Sequence, residues 1–134
     1  CDKKSSTNNT DNPTDKKGTF TIDGTAYSGK SSVQTFTNNN YSVLCEQDEP
    51  YKFIQITFHN KAEAEAGGTF TVEDYALNIA SGTVDVGIDG LTFDPNGKAT
   101  ISVSGKKITI SNLKLDQTGS GSKHPTVNAA SIDF

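Results

Sequence analysis

The sequence of 134 residues contains no methionine, no tryptophan and no arginine, and it has only two cysteines. Arginine supplies the planar fork that grips phosphate at two points, so a chain with lysine alone and a net charge of −4 is poorly suited to nucleic acids. No run approaches the roughly 18 apolar residues that a membrane-spanning helix needs. The composition therefore disfavours a nucleic-acid partner and a transmembrane helix.

Motifs that would indicate an enzyme or a metal site are also missing. The two histidines occur in no H-x-H or HExxH spacing, no C-x-x-C pair exists, and no G-x-S-x-G marks a nucleophilic serine. We therefore predict no catalytic residues, no metal and no cofactor. Asp85, Asp89 and Asp94 lie close together without the spacing of an EF-hand loop, and whether they bind calcium stays open.

The first residues differ sharply from the rest of the chain. Cys1 is followed by residues 2–17, which include no apolar side chain. Such a segment cannot bury enough surface to offset the entropy of ordering it, so we expect residues 1–17 to form a flexible tether and residues 18–134 a single domain. A cysteine before a polar tether is typical of bacterial lipoproteins, in which that cysteine is lipidated. The alternative is a boundary that falls on Cys1 by chance.

From residue 19 onward, apolar and polar residues alternate with period two, and turn residues recur every few positions. Asp23-Gly24 between two short runs predicts a type I′ hairpin, because both positions tolerate positive φ. The pattern predicts an all-β fold of about nine or ten short strands. We favour an antiparallel sandwich, because loops of uneven length suit Greek-key crossings, with a small barrel as the alternative. Predicted strands cover residues 19–22, 25–27, 31–37, 41–46, 51–59, 69–73, 83–88, 99–103, 106–111 and 126–134. Residues 75–79 either extend the strand before them or form an edge segment.

The strand over residues 51–59 has the clearest core pattern. Ile54, Ile56 and Phe58 share one face, while Phe53 lies on the other. Residues 61–66 have helix-forming composition but end at two glycines, so a single turn or a loop is expected there. Cys45 shares the parity of buried neighbours and is interpreted as a small core residue.

Aromatic side chains are the best candidates for a binding site. Several cannot all face inward, and an exposed ring beside amide side chains is what a carbohydrate platform uses. We take Tyr41, Tyr51 and Tyr75 as candidate ligand-binding residues. The competing interpretation is that both faces of the central strands are buried, with tyrosines at the ends of the sheets.

An N-terminal Cys1, a tether rich in Ser, Thr, Asn and Lys, and a domain that opens with residues 20–27 (FTIDGTAY) together resemble the small uncharacterised lipoproteins common in Bacteroidota. Gly68-Thr69-Phe70 in mid-chain is similar to a strand start found in them. The resemblance implies a lipid on Cys1 that anchors the protein to a membrane of the bacterial cell envelope. It implies an outer-membrane location, periplasmic or at the cell surface, and carries over no catalytic residue.

These observations lead to one functional expectation with two alternatives. We expect a lipid-anchored, non-enzymatic binding or accessory module whose partner is a glycan or an envelope protein. The first alternative is a carbohydrate-binding module that uses exposed aromatics. The second is an adhesin-like structural domain.

Overall fold

The computed structural model describes residues 16–73, 79–89, 91–97, 99–117 and 122–134. Within these ranges the chain forms ten strands and one short helix. In chain order they are β1 (Lys17–Ile22), β2 (Thr25–Thr35), β3 (Tyr41–Gln47), β4 (Lys52–Phe58), α1 (Lys61–Ala66), β5 (Gly68–Val72), β6 (Thr83–Ile88), β7 (Leu91–Pro95), β8 (Thr100–Ser104), β9 (Lys107–Gln117) and β10 (Thr126–Asp133).

Nine of these strands close into a barrel. The order around it is β10-β1-β2-β3-β4-β6-β5-β8-β9, and β9 pairs back with β10. Strand β7 bridges β6 and β9 at one end of the barrel. Every pairing is antiparallel except that of β5 with β6. The all-β prediction is confirmed, and the small barrel offered as the alternative is the architecture found.

One long strand, β2, is shared in a staggered register between its two neighbours. The first half of β2 pairs with β1, from Thr25 to Lys30, and its second half pairs with β3, from Lys30 to Thr35. This stagger tilts the strands around a common axis, as a barrel requires. The sequence predicted two separate strands here, and that prediction is wrong because pairing continues through the residues between them.

The hairpin between β1 and β2 forms as predicted. Asp23 and Gly24 have φ of 51° and 84°, the left-handed values that a type I′ turn needs. This turn and the turn between β3 and β4 lie at the same end of the barrel, which we call the turn end. The inward faces of the strands fill the interior with aliphatic and aromatic side chains, including Ile54, Ile56 and Phe58 as predicted.

The opposite end, here called the α1 end, is covered by the short helix. Asn60 caps α1 by accepting a hydrogen bond from the Glu63 N–H at 2.8 Å, and the helix ends at Gly67, whose φ is 82°. Ala64 is the buried residue of the helix. Nearby, the ring of Phe58 packs edge-on against Phe70 with centroids 5.2 Å apart. No helix in the described part of the chain is long and apolar enough to span a membrane.

Candidate functional site

Among the predicted site residues that the structure describes, Tyr51 is the most exposed, with 59% of its surface accessible. It follows the turn between β3 and β4, on the outer side of the barrel. Gln47 fixes that turn: its Nε2 donates to the Pro50 carbonyl at 2.9 Å, and its Oε1 accepts from the Ser28 N–H at 3.1 Å. The turn is thereby tied to the neighbouring strand β2, which holds the Tyr51 ring in place.

Tyr51 pairs with a second aromatic ring and with a carboxylate. Its ring lies 5.7 Å from that of Phe53, at an interplanar angle of 53°. Its hydroxyl donates to Glu46 Oε2 at 2.6 Å. This hydrogen bond to Glu46 is the main cause that raises the pKa of Tyr51, so the hydroxyl stays protonated at neutral pH. The two rings, called here the Tyr51–Phe53 platform, offer apolar surface beside a charged acceptor.

Glu46 also lines a polar groove of about 540 Å³ on the outer side of the barrel. Strand register explains why polar side chains gather there. Thr19 on β1 lies opposite Ser28 on β2 and opposite Ser131 on β10, so three hydroxyls form a row across three strands. The groove is lined by Lys17, Gly18, Thr19, Ser28, Gly29, Lys30, Glu46, Asp48, Ser131 and Asp133.

The charges of this polar groove nearly balance. Two ammonium groups, from Lys17 and Lys30, face three carboxylates, from Glu46, Asp48 and Asp133, which leaves one excess negative charge. Lys30 lies opposite Glu46 in the β2–β3 register. Hydroxyls, ammonium groups and carboxylates together can donate to and accept from a polar ligand in several directions. The groove therefore suits hydrogen bonding to a neutral, polar molecule.

The structure separates the predicted tyrosines. Tyr41 is only 3% exposed and packs against Phe134, with ring centroids 6.4 Å apart, at the α1 end. Tyr51 lies at the turn end, because the β3–β4 hairpin runs from the Tyr41–Phe58 pair to the Gln47–Lys52 pair. Tyr41 and Tyr51 therefore do not share a site. Tyr75 and Cys1 lie outside the described residues.

Sequence reasoning missed the row of hydroxyls, although part of it carried a signal. A two-residue turn at Asp23-Gly24 fixes the register of the hairpin, and that register places Thr19 opposite Ser28. Ser131 belongs to a strand distant in sequence, and no local pattern indicates that it lies beside Thr19. The polar groove is thus assembled by pairing between strands that are distant in sequence.

Cys45 is engaged in core packing and His59 in a hydrogen-bond contact within the fold. Cys45 is buried among core residues, as predicted, and burial is the main cause that raises the pKa of its thiol to about 11. A thiol at that pKa is almost entirely protonated at neutral pH and is a poor nucleophile. His59 Nδ1 lies 2.7 Å from the Ile79 carbonyl oxygen, a contact that joins β4 to the segment before β6.

The three aspartates considered for calcium occupy different surroundings. Asp89 Oδ2 forms an ion pair with Lys52 Nζ at 2.8 Å at the turn end. Asp85 is half-buried on β6, and Asp94 is exposed on β7. Across the described ranges, no three His, Cys, Asp or Glu side chains are grouped so that they could hold a metal ion.

Comparison of the chain with models of known families, with curated proteins and with solved structures gives no match. A functional proposal for this protein therefore rests on the geometry of its own side chains.

Proposed function

We propose that this protein is a carbohydrate-binding module, without catalytic activity, whose site combines the Tyr51–Phe53 platform with the polar groove. The observation that carries the proposal is the 2.6 Å hydrogen bond between the Tyr51 hydroxyl and Glu46. Glu46 belongs to the lining of the groove, so this contact places the exposed ring at the edge of the groove. A ligand in the groove can therefore contact ring and polar side chains together.

Carbohydrate is the ligand class that matches both parts. A sugar ring has an apolar face of C–H groups, which packs on an aromatic ring, and hydroxyls around its edge that both donate and accept hydrogen bonds. The volume of about 540 Å³ lies within the range of about 300–1,000 Å³ that is usual for small-ligand sites. Because positive charge is not in excess, the groove favours neutral sugars over sulfated or uronic acid-rich chains.

The module is further proposed to act in the bacterial cell envelope, held by a lipid on Cys1. The absence of apolar side chains from residues 2–17 supports this, because such a segment would keep the domain clear of the membrane surface. Mass spectrometry of the native protein from membranes tests the anchor, and an unmodified Cys1 amino group would contradict it.

Screening on an array of immobilised neutral and acidic oligosaccharides tests the carbohydrate proposal. We expect binding to neutral glycans and about tenfold weaker binding by Tyr51→Ala, since loss of a stacked ring corresponds to about 1.4 kcal/mol. Glu46→Gln keeps the size of the side chain but removes its charge, and we expect it to weaken the same interactions.

Val33→Ala provides the matched control, because Val33 is also an exposed apolar residue, at 44%, but lies at the α1 end. It should bind glycans as the unmodified protein does. Tyr41→Ala is unsuitable as a probe of this site, since it removes a buried ring from the core. No glycan bound by the unmodified protein, or binding that ignores Tyr51→Ala, would contradict the proposal.

A further inference from the structure

A second cleft, of about 330 Å³, lies at the α1 end, remote from the polar groove. It opens beside the end of β2, residues 32–35. Among the described strands, this part of β2 pairs only with β3. Its floor is apolar and consists of Val33, Tyr41 and Phe134. Val33 is 44% exposed, although it is an aliphatic residue on the inward parity of β2. This apolar cleft therefore leaves hydrophobic surface in contact with water.

The rim of the apolar cleft carries surplus positive charge. Lys16, Lys61 and Lys106 line it together with a single carboxylate, Glu65, so two positive charges are in excess. Lys61 Nζ and Lys106 Nζ converge on the same oxygen, Glu65 Oε2, at 3.4 and 3.8 Å. One carboxylate can balance only one of these two ammonium groups, so a second anion beside them would be attracted.

We propose that the apolar cleft binds an aliphatic carboxylate of medium chain length, with its tail on the exposed Val33 and its carboxylate beside the ammonium groups of Lys61 and Lys106. Val33 accounts for the tail, because its side chain is 44% exposed and covering it removes hydrophobic surface from water. The excess of ammonium groups accounts for the head, because an anion placed there gains two charge-assisted hydrogen bonds. A cleft with an apolar lining and a few converging polar groups is typical of a small-molecule site.

Tyr41 adds a neutral donor to this site. Burial, and to a lesser extent the nearby charge of Glu65, raises the pKa of the Tyr41 hydroxyl. The hydroxyl therefore remains protonated over the physiological range and adds no negative charge that would repel the carboxylate. The excess of ammonium groups on the rim favours an anion here, so this ligand class differs from that of the polar groove.

Calorimetric titration of the full-length protein with sodium decanoate tests the proposal. Decanol, which has a hydrocarbon chain of the same length and no charge, is the matched control ligand. We expect saturable binding of decanoate at concentrations below its micelle formation, with decanol binding more weakly. Removal of one exposed charge pair weakens binding about two- to fivefold. The double variant Lys61→Gln/Lys106→Gln should therefore bind decanoate about four- to twenty-fivefold more weakly. It should bind decanol unchanged, and Val33→Asp should weaken both ligands.

Lys114→Gln, an exposed lysine on β9 that does not line the cleft, controls for net charge and should leave decanoate binding intact. Circular dichroism of each variant establishes that it is folded. The proposal is overturned if decanoate does not saturate, if decanol binds as tightly as decanoate, or if the double variant keeps the preference for decanoate. Tyr51→Ala should bind decanoate normally, which separates this test from that of the carbohydrate proposal.

Discussion

Gly29 lies where the backbone of β3 passes directly over β2. A Cβ atom at this position would lie 1.7 Å from the Glu46 carbonyl oxygen and 2.8 Å from the Gln47 nitrogen, and both are backbone atoms that cannot rotate away. We therefore predict that Gly29→Ala lowers the free energy of unfolding by about 3 kcal/mol, the upper part of the range for overpacked positions. Urea denaturation followed by circular dichroism measures this loss.

The neighbouring Ser28 provides the control for that prediction. Its side chain is exposed and its N–H, which bonds Gln47, is unaffected by a change of side chain. The free energy of unfolding of Ser28→Ala should therefore lie within about 0.5 kcal/mol of that of the unmodified protein. A Gly29→Ala variant as stable as Ser28→Ala would show that β2 and β3 do not approach this closely.

At the scale of single residues, the sequence predicted the direction of a side chain, inward or outward, more accurately than its burial. Alternation along β4 correctly placed Ile54 inward and Phe53 outward. Tyr41 shares the parity of Val43, but its burial depends on Phe134, which is distant in sequence. Parity is a local property of the strand, whereas coverage at the end of a strand is decided by whatever packs over it.

At the scale of elements, turns were predicted well and strand lengths less well. The positive φ of Asn112, 49°, marks a change of phase between the two buried residues Ile110 and Leu113. Strand β9 nevertheless continues through it, from Lys107 to Gln117, because both of its halves find partners. A turn is specified by its own residues, but the length of a strand depends on the strands beside it.

The helix α1 is tied to the segment before β6 by Glu63. Its carboxylate accepts hydrogen bonds from the Ser81 hydroxyl and, at 3.0 Å, from the Gly82 N–H. Burial alone would raise the pKa of Glu63, but these hydrogen bonds and nearby His59 outweigh it, so that the pKa lies below its usual value of 4.5. A lowered pKa stabilises the folded state above the unfolded pKa, and this contribution is lost as the pH falls through the folded value.

We therefore predict that Glu63→Gln is about 1 kcal/mol less stable than the unmodified protein near neutral pH, the usual net contribution of a hydrogen bond. The difference should shrink at an acidic pH below the lowered pKa of Glu63, because the native carboxylate is then protonated as well. Urea denaturation at the two pH values measures it. Glu73→Gln, at an exposed position, is the matched control. If the free energies of unfolding of Glu63→Gln and the unmodified protein differ equally at both pH values, the role assigned to Glu63 is contradicted.

At the scale of the whole molecule, closure of the barrel is the feature that local pattern does not contain. It depends on β9 pairing with β10 and on β5 pairing in parallel with β6, which are contacts that no hairpin rule connects. The same alternating strands would serve a sandwich equally well, since each architecture buries one face. The polar groove shares this dependence, because Ser131 reaches it only when β10 joins β1.

The ladders that close the barrel are unequal, and this predicts where it opens. Strands β9 and β10 are registered at seven residue pairs, whereas β5 and β6 are registered at two, Thr71 with Thr83 and Val72 with Val84. Local opening costs less where fewer backbone hydrogen bonds and packed side chains must separate. Native-state hydrogen exchange should therefore find the amides of Thr71 and Glu73, which donate across the β5–β6 ladder, less protected than those that join β9 to β10. Equal protection along both ladders would mean that the barrel opens only by global unfolding.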